Sequence, residues 1–233
     1  YLLKRYVFHE SGTLVSGIIG GLYSSTATIS VLARKSRKAS EQEATDYVAA
    51  MLLAVSMMFL RFMILILIFS REIFLSIYPY LLTMAVVAAI VAWFIHSRQK
   101  RPEDQPAETE EDDSSNPLEF KVALIFAVLF VIFTFLTHYT LVYAGTGGLN
   151  LLSFVSGFSD ITPFILNLLQ NTGSVAALII TACSMQAIIS NIMVNMFYAL
   201  FFAGKGSKLR PWILGGFGVV IACNLVLLLF FYI

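Results

Sequence analysis

Seven long apolar segments occupy most of this 233-residue chain and constrain its fold more than any other feature. Each is about twenty residues or longer, the length that a helix needs to cross a hydrocarbon core roughly 30 Å thick. The alternating ten-residue pattern of a membrane β-barrel is not what these continuous segments resemble. We therefore predict an all-α, polytopic transmembrane helix bundle of about seven spans. The predicted spans are Ser11–Ala33, Thr45–Ser70, Phe74–His96, Phe120–Ala144, Leu149–Leu169, Ser174–Ala203 and Trp212–Ile233.

The composition supports a lipid environment and offers little for enzymatic chemistry. Charged residues make up 12% of the chain, against about a quarter in soluble domains. The net charge of +1 gives no basic surface for nucleic acid, and both cysteines, Cys183 and Cys223, lie in apolar segments without metal-type spacing. The sequence has no phosphate-binding Gly-Lys-Ser/Thr loop, no HExxH and no GxSxG. We predict no enzymatic activity, no cofactor, no metal and no nucleic-acid partner.

One long polar stretch, SRQKRPEDQPAETEEDDSSNP, separates the third and fourth apolar segments. It is rich in acidic residues, Pro and Ser and has no apolar periodicity, which is typical of a solvated linker. We therefore predict three regions: residues 1–98 as a first repeat, 99–118 as an acidic mobile linker, and 119–233 as a second repeat.

The repeat prediction depends on three ordered matches between the two halves. A shift of 136 residues places GTLVSGIIGGLYSST (Gly12–Thr26) over GLNLLSFVSGFSDIT (Gly148–Thr162). A shift of 127 places AAMLLAVSM over AALIITACS, and a shift of 132 places PYLL over PWIL. Ordered self-similarity with its gap in a loop indicates an internal repeat.

Two consequences follow from four predicted helices in each copy. The first copy lacks its first helix apart from YLLKRY, so the chain is expected to be a fragment of a longer protein. An even number of spans gives both copies one orientation, as in transporters with parallel repeats. The loops of this seven-span topology divide the basic residues eight against six, which places the linker and the C-terminus in the cytoplasm.

The first apolar segment is built from small and hydroxylated residues instead of the large apolar ones that face lipid. Glycines at helical spacing let helix backbones approach closely, and hydroxyl side chains form hydrogen bonds between helices, so one interpretation is helix packing. The alternative is that the hydroxyls of this segment line a polar site. The packing candidates are Gly17, Gly20 and Gly21, with Gly157 matching Gly21 in the second copy, and the site candidates are Ser24, Ser25 and Thr26.

Two charged residues inside predicted spans are the other site candidates. Asp160 costs about 2.5–3.5 kcal/mol to insert, and Pro163 just after it is expected to kink or break the fifth span. Arg61 lies in the second span. We predict a polar cluster of these two with the three hydroxyls, Asn191 and Asn195. The alternative is an ion pair of Asp160 and Arg61 that only locks two helices.

The stretch GGLYSSTATISVLARKSR resembles the GGL-SSTAT-LARRSR signature of a bacterial membrane domain that follows an MgtC/SapB domain. The stretch GFSDITPFILNLL is similar to a second pattern of that group, in which an Asp and an Ala stand where this chain has Thr162 and Pro163. If the two acidic positions form a cation site, this chain keeps one of them. The resemblance implies a multi-pass protein of the bacterial inner (plasma) membrane, preceded by an MgtC/SapB-like part.

Two functions remain open at this stage. One is a transporter or channel-like protein for a small ion or solute, with Asp160 binding a cation or proton and Arg61 as its counter-charge. The other is a non-transporting regulatory protein, as the MgtC resemblance implies, in which small-residue faces bind a partner membrane protein or a second copy of the chain. Transport predicts a wet cavity reaching Asp160, whereas regulation predicts a dry, fully paired polar cluster.

Overall fold

The computed structural model of the chain describes residues 12–37, 39, 41–98, 118–158, 160–170, 176–204 and 209–232. Within these ranges the regular structure is entirely helical. The helices are α1 (Thr13–Lys35), α2 (Glu41–Phe69), α3 (Arg71–Ser97), α4 (Leu118–Ser156), α5 (Ile161–Gln170), α6 (Ala177–Ala203) and α7 (Arg210–Tyr232). The predicted linker, 99–118, lies outside the described residues except for Leu118.

The described helices have the length and composition of a multi-pass membrane protein. Five are long and apolar enough to cross a bilayer: Thr13–Lys35, Thr45–Phe69, Arg71–Ser97, Ala177–Ala203 and Arg210–Phe230. The all-helical membrane prediction is therefore confirmed at this coarse level. The predicted fifth span differs, because that region forms two shorter apolar helices, Gly147–Ser156 and Ile161–Gln170. Each falls well short of the roughly twenty residues that a crossing needs.

The chain divides into two compact units whose boundaries fall inside helices. Unit 1 comprises Tyr1–Phe62, Leu81–Ser114 and Asn195–Cys223, and unit 2 comprises Met63–Tyr80, Ser115–Val194 and Asn224–Ile233.

In unit 1, α2 and α3 run antiparallel. The Ser56 hydroxyl on α2 donates a hydrogen bond of 2.8 Å to the carbonyl of Ala85 on α3. Nearer the ends, His96 Nδ1 lies 2.6 Å from a carboxylate oxygen of Asp46. The beginning of α2 and the end of α3 therefore lie at the same end of the unit.

The end of α6 lies at that end as well, next to the residues that follow α1. The Arg37 guanidinium donates to the carbonyls of Phe202 and, at 3.2 Å, Phe201. The Arg34 guanidinium lies 4.3 Å from the centre of the Phe202 ring. Cationic side chains at a helix C-terminus bond its last free carbonyls and complement the helix dipole, so both arginines stabilise the end of α6.

In unit 2, α5 is largely enclosed, because seven of its ten residues are buried. The three that are less buried, Thr162, Leu166 and Gln170, follow one another at intervals of four residues and share one face. The helix therefore packs its other faces against the protein. The Tyr80 hydroxyl also donates 2.5 Å to Asn224 Oδ1 within this unit, joining α3 to α7.

Candidate functional site: two helical hairpins

Helix α1 does not run straight, because its backbone leaves the helical region at Ser24 (φ −156°, ψ 108°). A Cβ atom added to Gly20 would lie 2.8 Å from Cγ2 of Thr28. Residues eight apart in a continuous helix are separated by about 12 Å along its axis, so the chain folds back at Ser24. We call the arms 13–23 and 25–35 the first hairpin.

The contacts of the first arm with α2 agree with this reversal. A Cβ on Gly17 would lie 2.9 Å from Cα of Ala50, and a Cβ on Gly21 would lie 2.5 Å from Cα of Ala54. The contact positions advance together along both elements, so the first arm runs parallel to α2. Neither glycine position has room for a side chain.

The short connection to α2 independently requires the second arm to return. Ala54 lies about 20 Å along α2 from its first residue, and a straight α1 would carry Lys35 about 20 Å further in the same direction. The five residues 36–40 span at most about 21 Å when fully extended. They could not cover the resulting distance of roughly 40 Å.

A second hairpin follows in unit 2. Helix α4 is interrupted at Gly145, whose φ of 57° and ψ of −147° favour glycine. The first arm of this hairpin is Gly147–Ser156, and the second arm is α5. The first arm runs parallel to α6, because Ser153 Oγ lies 2.8 Å from Gln186 Oε1 and Ser190 Oγ donates 2.6 Å to the carbonyl of Phe154.

The connection to α6 again requires a reversal. Asn191, which contacts Gly157, lies about 21 Å along α6 from its first residue. A straight continuation through α5 would end roughly 40 Å from Ala177, whereas residues 171–176 span at most about 25 Å. The chain therefore folds back between residues 157 and 160.

The chain also turns back at Gly145. Asn167 on α5 donates 2.8 Å to the hydroxyl of Thr134, which precedes Gly145 by about 16 Å along α4. If the second hairpin continued in the direction of 118–144, its second arm would stay beyond Gly145 and could not reach Thr134. The segment 118–144 and the first arm of the second hairpin therefore run in opposite directions.

The two hairpins use the same register against the helix that follows each of them. Gly17 faces Ala50 in the first, and Ser153 faces Gln186 in the second. One turn later Gly21 faces Ala54, and Gly157 faces Ser190, where an added Cβ would overlap the Ser190 side chain. Every residue of the second set is 136 positions after its counterpart. On α2 and α6 the contacts thus relate the two copies by a shift of 136 residues, whereas the alignment of AAMLLAVSM with AALIITACS relates the same helices by a shift of 127.

At the first break, polar groups bind both free helix ends. The Arg61 guanidinium donates 2.7 Å to the carbonyl of Tyr23, the last residue of the first arm. The Ser24 hydroxyl accepts a hydrogen bond of 3.4 Å from the Ala27 amide, as the N-cap of the second arm. The break thus has a cation at its carbonyl end and a hydroxyl at its amide end.

At the second break, different side chains bind the free carbonyl end and the free amide end. The Asn191 side-chain amide donates 3.2 Å to the carbonyl of Gly157, and a carboxylate oxygen of Asp160 accepts 2.9 Å from the Thr162 amide. Asp160 is exposed, so its second oxygen is accessible. Pro163, expected to kink or break the segment, lies in the first turn of α5, where a missing N–H removes no helical hydrogen bond.

The residues of the predicted polar cluster are divided between the two units. Ser24, Ser25, Thr26 and Arg61 belong to unit 1, and Asp160 and Asn191 belong to unit 2. Ser25 is buried, and the carbonyl of Thr26 accepts 2.8 Å from Ser30 Oγ. Asn195 is buried on α6 one turn after Asn191 and belongs to unit 1.

Among the contacts of the second hairpin, Ser190 was missed from the sequence, whereas helical spacing already places Ser153 on one face with Asp160, and Gln186 lies near the polar face of the sixth predicted span. A local signal for the breaks was present, because Ser24-Ser25-Thr26 and Asp160-Ile161-Thr162 place N-cap residues inside apolar segments. Among the described residues, no group of three or more His, Cys, Asp or Glu side chains is placed to hold a metal ion.

Comparison with known proteins identifies the family through residues 1–203, which match the model of the Domain of unknown function (DUF4010). The chain belongs to the DUF4010 family. The match covers both hairpins of this DUF4010 protein, whereas the link to MgtC/SapB remains a resemblance of motifs. An uncharacterized protein of Aquifex aeolicus (strain VF5) is 24% identical over 227 residues, covering 95% of this chain and 96% of the relative. No solved structure matches the chain.

Proposed function

We propose that this DUF4010 protein is a transporter or channel-like protein for a small ion or polar solute, and that each of its two hairpin breaks provides polar groups that bind this substrate. The observation that carries the proposal is the pair of interrupted apolar segments at corresponding positions, Ser24 and Asp160. Interrupted helices at membrane depth are tolerated only where they are buried in protein or line a cavity. In transporters, corresponding interruptions in two halves of a chain mark the binding site.

The exposed helix ends supply the chemistry for recognising an ion. Each break brings the carbonyl end of one arm, which carries partial negative charge, close to the amide end of the next arm, which carries partial positive charge. Away from water, such ends bind ions or polar groups of either sign. A small hydrophilic substrate therefore fits the breaks better than a lipid or another large apolar molecule.

Asp160 gives the second break a preference for positive charge. Its carboxylate uses one oxygen to cap α5 and is exposed, so it is accessible to a cation or a proton. Arg61 gives the first break the opposite charge. In this proposal Asp160 is the cation-binding or proton-binding group, with Ser24, Ser25 and Thr26 as hydroxyl ligands at the first break.

The same contacts support an internal repeat in which each copy consists of a hairpin and the two long helices after it. In the contact register Arg61 corresponds to Phe197, and Asn191 corresponds to Val55. Arg61 and Asn191 thus make the same kind of hydrogen bond, although they do not occupy equivalent positions in the two copies. Each is supplied by the helix after a hairpin, and each donates to the carbonyl end of that hairpin's first arm.

Ion flux in proteoliposomes tests the proposal, with the full-length protein and a panel of small ions and polar solutes. Asp160→Asn is the decisive variant, because Asn caps a helix as well as Asp does but carries no charge. We expect the wild type to support flux and folded Asp160→Asn to lose at least about tenfold, as expected for removing a charged hydrogen-bonding ligand. Glu72→Gln, an exposed carboxylate at the start of α3, is the matched control and should leave flux unchanged.

The absence of flux for every solute, or equal flux in wild type and folded Asp160→Asn, would contradict this assignment. A non-transporting regulatory role is the second candidate, and one feature of α7 favours it. Gly215 and Ala222 are exposed seven residues apart, with Gly218 between them, and no atom lies within 4 Å of a Cβ added at Gly215 or Gly218. Small-residue faces of this kind pack against other membrane helices. Loss of cross-linking to a second copy or a partner membrane protein in Gly215→Leu would support that role.

A further inference from the structure

We infer that the two hairpins enter the membrane from opposite faces, the first from the cytoplasmic face and the second from the outer face, and that only five segments cross the bilayer. This inference goes beyond the proposed function, because it concerns the topology of the chain and holds whether or not the protein transports a solute. It also replaces the seven-span topology expected from the sequence.

The lengths of the hairpin arms determine how many segments cross. Arms of ten or eleven residues are about 16 Å long, roughly half of the hydrocarbon core. Because both arms of a hairpin start or end at the same face, neither hairpin crosses. The five crossing segments are α2, α3, the first part of α4 (118–144), α6 and α7.

The contacts in unit 1 establish which helix ends share a face with the first hairpin. Arg37, which directly follows that hairpin, binds the carbonyls at the end of α6. His96 at the end of α3 lies beside Asp46 at the start of α2. The base of the first hairpin, the start of α2, the end of α3 and the end of α6 therefore lie at one face.

The continuity of α6 then places the second hairpin. Since α6 ends at the face of the first hairpin and crosses the bilayer, its first residue, Ala177, lies at the other face. The second hairpin leads into Ala177 through a short connection and begins at Gly147, after the crossing segment 118–144. It therefore begins and ends at the face opposite to the first hairpin.

The distribution of basic residues identifies the cytoplasmic face. Among the residues that the structure describes, six basic residues fall at the face of the first hairpin, Arg71 falls at the other face, and Arg61 lies within α2. The six are Arg34, Lys35, Arg37, Arg98, Lys121 and Arg210. By sequence, the other seven either precede the first hairpin or belong to segments that connect helix ends at the same face, so the inferred topology assigns 13 of the 15 Lys and Arg residues to it: the six above with Lys4, Arg5, Lys38, Lys100, Arg101, Lys205 and Lys208. Short cytoplasmic loops carry an excess of Lys and Arg, so this face is cytoplasmic. The seven-span topology divides the loop residues only eight against six.

The inferred topology changes the relation between the two copies. Three crossing segments, α2, α3 and 118–144, separate the first hairpin from the second. Because three is an odd number, the two copies have opposite orientations in the membrane, whereas four spans in each copy predict parallel ones. The acidic linker stays cytoplasmic, and the C-terminus moves to the outer face.

Cysteine accessibility in cells tests the topology directly. Single cysteines are placed at Ala39, Glu72 and Ala176 in the full-length protein, with Cys183 and Cys223 replaced by Ala. A membrane-impermeant maleimide is applied to intact spheroplasts and again after permeabilisation. We expect Glu72→Cys and Ala176→Cys to react in intact spheroplasts, and Ala39→Cys to react only after permeabilisation. The seven-span topology places Ala39 and Ala176 at the same face, so equal accessibility of these two positions would overturn the inference.

A C-terminal reporter provides a second measurement on an otherwise unchanged chain. Alkaline phosphatase is active only outside the cytoplasm, and green fluorescent protein folds to a fluorescent state inside it. We expect an active phosphatase fusion and a dark fluorescent-protein fusion. The opposite pattern would show an even number of crossings between the linker and the C-terminus and would contradict the five-crossing topology.

Discussion

The first and second hairpins solve one folding problem with different side chains. Both pack their first arm in parallel on the following long helix, in the same register. In the first hairpin Gly17 and Gly21 let the arm approach the backbone of Ala50 and Ala54. In the second, Ser153 makes a hydrogen bond to Gln186 at the position equivalent to Gly17. Helix pairs in lipid are held by close backbone packing and by interhelical hydrogen bonds. The first hairpin uses close packing at both glycines, and the second combines close packing at Gly157 with hydrogen bonds from Ser153 and Ser190.

The breaks differ in the sign of their charge. The first combines the Arg61 guanidinium with the hydroxyl of Ser24, and the second combines the neutral amide of Asn191 with the carboxylate of Asp160. The geometry of capping is shared, but the charges are opposite. The fold-back therefore depends on having a donor and an acceptor at each break, while the charges are free to serve recognition.

The largest expected effect is steric and is confined to the first hairpin. Gly21→Ala should lower the free energy of unfolding by about 1–3 kcal/mol, because the new methyl group overlaps the backbone of Ala54 and a backbone cannot rotate away. Thermal unfolding of the full-length protein in detergent measures this loss. Gly147→Ala is the matched control, since no atom lies within 4 Å of its added Cβ. Equal stability of both variants would mean that the first arm does not lie on α2.

The next effect concerns the polar contact of the second hairpin. Asn191→Leu keeps a similar volume but removes the donor to the Gly157 carbonyl, which should reduce stability by about 1 kcal/mol. Hydrogen exchange of residues around the second break should rise, while exchange around Ser24 stays unchanged. Faster exchange at both breaks would contradict the expectation that the Asn191 contact acts only on the second hairpin.

A similar or slightly smaller loss is expected at the cap of α5. Asp160→Ala should lose about 1 kcal/mol of stability, whereas Asp160→Asn should remain close to wild type, because both Asp and Asn accept from the amides of the first turn. Unfolding of the two variants side by side separates capping from charge. A loss of the same size in Asp160→Asn would indicate that the carboxylate stabilises the fold through its charge.

The smallest effect is expected at the equivalent cap of the first hairpin. Ser24→Ala should lose about 0.5 kcal/mol, the low end for a helix cap, because the Ser24–Ala27 hydrogen bond is long at 3.4 Å. Ser24→Asp should restore or exceed wild-type stability by placing negative charge at a helix N-terminus. If Ser24→Ala were more destabilising than Asp160→Ala, the first break would depend on its cap and not on glycine packing.

From the sequence, Pro163 predicted an interruption in the fifth span, and the 136-residue repeat paired Asp160 with Ser24. No break was predicted at Ser24, and neither break was recognised as a reversal. The fifth predicted span forms two short helices for a physical reason: an apolar stretch of twenty residues has the same composition whether it crosses as one helix or enters and returns as two.

The sequence by itself determined that the chain lies in lipid and that it is helical. Long apolar segments require lipid and helices, since backbone groups in a bilayer must be satisfied internally. Small residues in the first arm require close packing of some kind. Only the tertiary structure decided the direction of the chain after Ser24 and Gly157, because that direction depends on groups far away in the sequence. The backbone of Gly21 packs against the backbone of Ala54. Arg61 and Asn191 donate hydrogen bonds to the free carbonyls at the end of the first arm of each hairpin.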